Sequence, residues 1–332
     1  MVPAATLGAT GLPVSRLGLG LAAVGRPDYI NLGRDHDLPG ARTPEALYAR
    51  SAELLDAART AGIRYVDVAR SYGRAEEFLA RWLRERAVPR DACTIGTKWG
   101  YRYTAEWRID AAVHEEKELS PSRFATQLAE SRALLGDRTD LHQIHSATAE
   151  AVQDPAVLRA LVEARRAGHY RATGLTLSGP TSARVLELAR AARVDGERVF
   201  DVVQATFNCL EPSLAEPLAA AHAAGLGVIV KEAVANGRLT ESNARPEDAG
   251  LVRTLRAAAA TRGCGMTQLA LAFVLAQPWV DVALSGAATV AQLASHTGAL
   301  DVVLDDGARA TLTSLAETPA RYWATRATLA WS

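Results

Sequence analysis

Short apolar runs of strand length alternate along the chain with longer Ala-, Leu- and Arg-rich stretches whose apolar positions recur at helical spacing. The strand-like runs fall at 17–24, 64–69, 93–98, 140–145, 170–177, 200–206, 227–231 and 280–284. The amphipathic stretches fall at 44–61, 74–86, 122–135, 155–167, 181–193, 213–224, 251–277 and 290–299. Several open on a Ser, Thr or Asp cap or on Pro, and several stop at glycine, as at Gly62, Gly136, Gly168 and Gly225. Eight strands alternating with eight helices predict a parallel sheet, because each parallel crossover needs such a connection. Closure into a (β/α)8 TIM barrel is the expected α/β architecture, as one domain spanning 1–332. Ahead of it, residues 6–14 read as an N-terminal β-hairpin with a Gly-rich turn, placed to plug the bottom of the barrel. Two segments break the alternation: 99–120, polar and aromatic-bearing, and 318–332, which carries Tyr322, Trp323 and Trp331. Long loops at the C-terminal mouth of a barrel shape its substrate site.

Composition narrows the function classes. Apolar residues make up 48% of the chain and charged ones 22%, enough for a large core and against disorder. Basic and acidic residues number 37 each without a basic cluster, so neither nucleic acid nor an anionic membrane is expected as partner. No stretch has the length and apolarity of a membrane span, and residues 1–11 lack the pattern of a secretory signal. Cys93, Cys209 and Cys264 are isolated, which fits a reducing compartment, with the cytoplasm expected, and gives no metal-ligand spacing. Only three of the 37 basic residues are lysines, and two of these, Lys98 and Lys231, end strand-like runs.

The segment Gly18-Leu19-Gly20-Leu21-Ala22-Ala23 matches a dinucleotide-binding glycine pattern in form. That pattern needs a helix to open at once, whereas Pro27, Asp28, Asn31 and Gly33 follow. A Rossmann fold is therefore excluded, and the run is read as the first strand.

Four polar residues stand at or just beyond the carboxyl ends of consecutive strands: Asp67, Tyr72, Lys98 and His145. In a barrel these ends converge on one mouth. A carbonyl that receives hydride needs a proton on its oxygen, and a phenol with a pKa of about 10 is a weak acid near neutrality. An ammonium roughly 4 Å away supplies about 4 kcal/mol at an effective dielectric near 20, enough to lower that pKa by ~2–3 units. Lys98 is the expected source, held by Asp67, while His145 donates to the carbonyl oxygen.

The ordered tetrad, with Tyr65-Val66-Asp67-Val68-Ala69-Arg70-Ser71-Tyr72-Gly73, Thr97-Lys98-Trp99, Val202-Val203-Gln204 and Asn236-Gly237-Arg238-Leu239, resembles the aldo-keto reductase superfamily over nearly the whole chain. The resemblance implies that Tyr72 is the acid/base, that Lys98 and Asp67 tune it and that His145 orients substrate. It also implies an extended NADP(H) across the mouth, sequential binding and no metal. Gly20, Asp67, Thr176, Gln204, Lys231, Glu232, Asn236, Gly237, Arg238, Leu239, Gly286, Ala287, Gln292 and His296 are the positions it assigns to the cofactor. Several depart from the family. Lys231-Glu232 stands where many relatives place a nicotinamide-stacking Tyr, and Thr176-Leu177 replaces a Ser-Asn pair. Gln292 stands where an Arg meets the 2′-phosphate, and His296 where an adenine-contacting Asn is common, so NAD is possible although family habit still favours NADP. Trp99, Tyr101, Trp107 and Trp323 are the expected substrate-pocket aromatics, suited to a sugar, a terpenoid or an aromatic ketone. The partner is a small carbonyl or alcohol, and a monomer or homodimer follows family habit. Two other functions fit the departures: a cofactor-binding regulatory barrel without turnover, and a Schiff-base lyase using Lys231.

Overall fold

A computed structural model describes residues 1–331. Eight parallel strands close into a barrel in chain order: β1 (Leu17–Gly20), β2 (Tyr65–Asp67), β3 (Thr94–Trp99), β4 (Leu141–Ile144), β5 (Ala172–Leu177), β6 (Val202–Thr206), β7 (Gly227–Lys231) and β8 (Val282–Ser285). The expected barrel is the observed one. Nearly every strand residue is buried, as it must be where a core fills the inside and helices cover the outside.

The covering helices are α1 (Pro44–Ala61), α2 (Ala75–Glu85), α3 (Pro121–Leu135), α4 (Pro155–Arg166), α5 (Ser182–Ala191), α6 (Ala215–Ala223), α7 (Ala249–Ala260), α8 (Met266–Leu275), α9 (Val290–Gly298), α10 (Asp306–Ser314) and α11 (Pro319–Ala327). One local rule starts four of them. A Thr, Ser or Asp accepts a hydrogen bond from the first turn and is followed at once by Pro: Thr43-Pro44, Ser120-Pro121, Asp154-Pro155 and Thr318-Pro319. Among the described helices none is long and apolar enough to cross a membrane.

The hairpin Ala4–Thr6/Pro13–Ser15 lies across the amino-terminal end of the barrel. Leu7, Leu12 and Val14 pack there with Tyr65, Leu141, Val202, Ile229 and Val282, one inward side chain from each of five strands. The chain comes so close that a Cβ at Gly8 would stand 2.3 Å from the Gly227 nitrogen. The bottom is shut.

Three elements differ from expectation. The first strand stops at Gly20; the apolar residues after it, Leu21, Ala23 and Val24, are buried in a turn rather than in the sheet. The stretch 251–277 is two helices, α7 and α8, because the chain adopts a positive φ of 64° at Gly263 between them. The excursion 99–120 is ordered as a hairpin, Tyr101–Tyr103 paired with Glu115–Lys117. Together with α11 and Trp331 it builds the rim of the mouth.

Candidate active site

Asp67 ends β2, Lys98 is the penultimate residue of neighbouring β3, and Gln204, midway along β6, reaches Asp67 across the barrel interior. Asp67 is 2% exposed and Lys98 1%, so neither charge has water to rely on. Their answer is each other: Lys98 Nζ forms an ion pair with Asp67 and also donates to the Val68 carbonyl at 3.0 Å. The Tyr65 hydroxyl donates to Asp67 Oδ2 at 3.1 Å, and Gln204 Nε2 donates to the same oxygen at 2.8 Å. Gln204, expected on the carboxamide of a cofactor, therefore spends its amide donor on the buried carboxylate, although it also lines the mouth cavity.

Gly96 makes this arrangement possible. A Cβ there would lie 2.2 Å from the Tyr65 hydroxyl. Gly96→Ala is thus expected to push Tyr65 off Asp67 and to destabilise the barrel by about 1–3 kcal/mol, the usual cost of overpacking. A shift in the denaturation midpoint measures it, and an unshifted midpoint would mean that Tyr65 moves aside freely.

Tyr72 sits in the turn between β2 and α2, 9% exposed. Lys98 Nζ lies 4.7 Å from its ring centroid, and the His145 ring meets it edge-on at 5.5 Å. Tyr101 approaches the other side of His145 at 4.9 Å, and the Ser71 hydroxyl is 3.4 Å from His145 Nδ1. The four residues of the ordered set therefore gather at one place.

The electrostatics correct one expectation. Burial, then the charge of Asp67, pushes the Tyr72 phenol well above its ordinary value, with Glu115 adding to the effect and Arg26 opposing it. Lys98, paired with Asp67, does not offset these effects on the neutral phenol. In the ligand-free chain Tyr72 is a neutral donor. Burial, together with Lys98 and Lys231, pushes His145 well below the usual imidazole value, so its ring is neutral as well.

Lys231, at the end of β7, donates to Ser178 Oγ at 2.9 Å and to Thr206 Oγ1 at 2.8 Å. Burial lowers its pKa to about 8 from the ordinary 10.5. Burial pushes its neighbour Glu232 upward, but Lys231 and Arg326 outweigh that and hold the carboxyl at about 2. Between about pH 8 and 10.5 the unfolded chain keeps a proton that the folded Lys231 has released, so this group makes stability rise with pH, by at most about 1.4 kcal/mol per unit. The stability difference between wild type and Lys231→Met should accordingly move in favour of the wild type across that window. Denaturant titrations at a series of pH values read it; a flat difference would refute the depressed amine.

A cavity of about 500 Å³ opens at the mouth over these groups. Of the positions expected to meet a cofactor or substrate, Gly20, Asp67, Tyr72, Tyr101, His145, Gln204, Lys231, Glu232, Asn236, Gly237, Gly286, Gln292 and His296 line it. Others do not. Trp99 is fully buried against Phe124 behind the strand, and Leu239 is core. Thr176 is buried too, its hydroxyl accepting the Ser146 N–H at 2.7 Å. Ala287 is buried just past the end of β8. Arg238, expected on a pyrophosphate, is 3% exposed and held between Asp248 and Glu317. Trp107 packs on Phe78 and hydrogen-bonds the Arg42 carbonyl, and Trp323 packs on Tyr322, both off the cavity wall.

Sequence reasoning missed Arg26, Tyr29, Glu115 and Arg326 on that wall, and left Trp331 in its unassigned tail. Arg26 bonds Glu115 at 3.0 Å and the Ser71 carbonyl at 2.9 Å, with Trp331 stacked over its guanidinium at 4.8 Å. Arg326 of α11 pairs with Glu232 at 2.7 Å. The useful signal was the pair of segments that broke the alternation, since both contribute to the rim.

The residues present suit a dinucleotide. Asn236 Oδ1 is buried without a hydrogen-bond partner among the described residues and belongs to a wall residue of the cavity. Gly286, just ahead of the α9 amino terminus, has open space where a Cβ would stand, and such a terminus favours phosphate.

The sequence profile of the Aldo/keto reductase family matches residues 17–317, so the chain belongs to that family. It is an NAD(P)-dependent oxidoreductase. Among curated proteins it is similar to an NADH-specific methylglyoxal reductase of Escherichia coli (strain K12), 24% identical over 347 aligned residues, covering 94% of this chain and 97% of that protein. Among solved structures it is similar to the holo form of the aldo-keto reductase AKR11C1 from Bacillus halodurans, with TM-score 0.74 and 22% identity over 96% of this chain and 97% of that one. The glycerol dehydrogenase AKR11B4 from Gluconobacter oxydans follows, with TM-score 0.72 and 21% identity over 94% of each chain.

Proposed function

We propose that the chain reduces a small polar aldehyde or ketone, with Tyr72 as proton donor, His145 orienting the carbonyl oxygen, and Asp67 and Lys98 as a buried pair that positions Tyr72. The bound nicotinamide supplies the hydride. The observation that carries this reading is the convergence of Tyr72, His145 and Asp67 on one cavity, with Lys98 buried against both Asp67 and the Tyr72 ring.

The geometry supports each role. A neutral phenol beside a neutral imidazole offers two donors to one carbonyl oxygen without placing a net charge there. As the oxygen gains charge, the phenol gives up its proton, and Lys98, close to the ring, stabilises the phenolate left behind. Charged and hydroxyl groups on the wall (Arg26, Glu115, Ser146, Ser178) favour a short oxygenated substrate over a terpenoid. The similarity to a methylglyoxal reductase and a glycerol dehydrogenase points the same way. A cytoplasmic setting suits the free Cys93, Cys209 and Cys264.

The test is consumption of reduced nicotinamide with short aldehydes, 2-oxoaldehydes and hydroxyketones, expected to exceed that with bulky apolar ketones. Tight cofactor binding with no turnover of any carbonyl would instead favour a regulatory role.

A further inference from the structure

The cavity has two unlike ends. Near Tyr72 its cations are all engaged: Arg26 with Glu115, Arg326 with Glu232, and Lys231 with two hydroxyls. At the other end, between the loop after β7 and the first turns of α9, the wall is Glu241, Thr267, Gln292, Ser295 and His296, with no Lys or Arg among the described lining residues there. Glu241 accepts from the Thr267 hydroxyl at 2.5 Å and from the Thr267 N–H at 3.3 Å. His296 brings no charge, since burial lowers its pKa to about 4, and its Nδ1 lies 2.7 Å from Ser285 Oγ. Gln292 commits its carbonyl oxygen to the Ala288 N–H at 2.8 Å. The loop's own arginine, Arg238, is consumed by Asp248 and Glu317.

We propose that this end receives an adenosine ribose with a free 2′-hydroxyl, and that Glu241 makes the chain selective for NAD(H) over NADP(H). The inference rests on the oxidoreductase reading above. A dinucleotide with its reacting ring at Tyr72 and His145 must send its other half along the cavity. Barrels commonly hold phosphate with the loops after strands seven and eight and a helix amino terminus, here the Gly286 turn leading into α9. The next surface beyond is the one that Glu241 borders. A carboxylate accepts a hydrogen bond from a ribose hydroxyl, as acidic side chains do in other dinucleotide folds. The same carboxylate repels a 2′-phosphate, and among the described lining residues no cation stands at this end to offset that.

Calorimetric titration with ADP-ribose and with its 2′-phosphorylated form isolates this end from the nicotinamide; NADH and NADPH are titrated in parallel. Wild type is expected to bind the unphosphorylated ligand of each pair about tenfold or more tightly than the phosphorylated one. Glu241→Gln should narrow the gap by strengthening binding of the phosphorylated ligands, and Gln292→Arg should narrow it from the same side. Equal or tighter binding of the phosphorylated ligands by wild type, or a ratio that neither variant moves, overturns the selectivity while leaving the oxidoreductase reading intact. Failure of all four ligands to bind overturns both.

Discussion

Replacing Tyr72 by Phe is expected to cut carbonyl turnover by about 10²–10⁴-fold while leaving affinity for reduced cofactor unchanged. The ring itself is structural: it is buried, it lies against Lys98 and it meets His145 edge-on. Phe preserves all of that and removes only the proton that the developing alkoxide needs. His145 remains as a donor, which is why some rate survives. Its imidazole is held neutral by burial and by two nearby ammonium groups, so it can share a proton but holds no spare one to give. Single-turnover rates and cofactor titrations on the same preparation separate the two quantities. Retained turnover in the variant would remove Tyr72 from the chemistry.

The second large effect concerns stability. Lys98→Met leaves Asp67 buried with the Tyr65 and Gln204 hydrogen bonds but no cation. Breaking a buried pair from one side costs about 3–5 kcal/mol, because the remaining charge has lost its counterpart and has no water. The expected result is a large fall in the denaturation midpoint together with loss of activity. Combining Lys98→Met with Asp67→Asn removes the orphaned charge and should restore most of the stability. Activity should stay low in the double variant, since the phenolate has lost its stabilising neighbour. A single variant as stable as wild type would mean that Asp67 is not an ion in the folded chain.

Much of the barrel was legible because its signal is repetitive. Apolar runs, cap-Pro starts and glycine stops recur along the chain, and each crossover repeats the same physical problem. The tetrad could be found because strand ends in a barrel must converge, so position along a strand becomes position in space. What stayed hidden depends on distant segments meeting. Nothing local to Arg26 says that it will face Glu115 and Trp331. Nothing local to Arg238 says that two carboxylates, one of them 79 residues away, will claim it. Trp99 misled for the opposite reason: side chains alternate along a strand, and the one next to Lys98 points outward into the helix layer. The acidity of Tyr72 depended on whether Asp67 would cancel Lys98, a matter of side-chain contact that spacing cannot decide.

The N-terminal hairpin has a kinetic consequence. A vessel stoppered at its base by Leu7, Leu12 and Val14 admits nothing from that side. Should two molecules both enter through the mouth, the deeper one is expected to arrive first and depart last. The stopper would thus order traffic at the opposite face without touching either reactant.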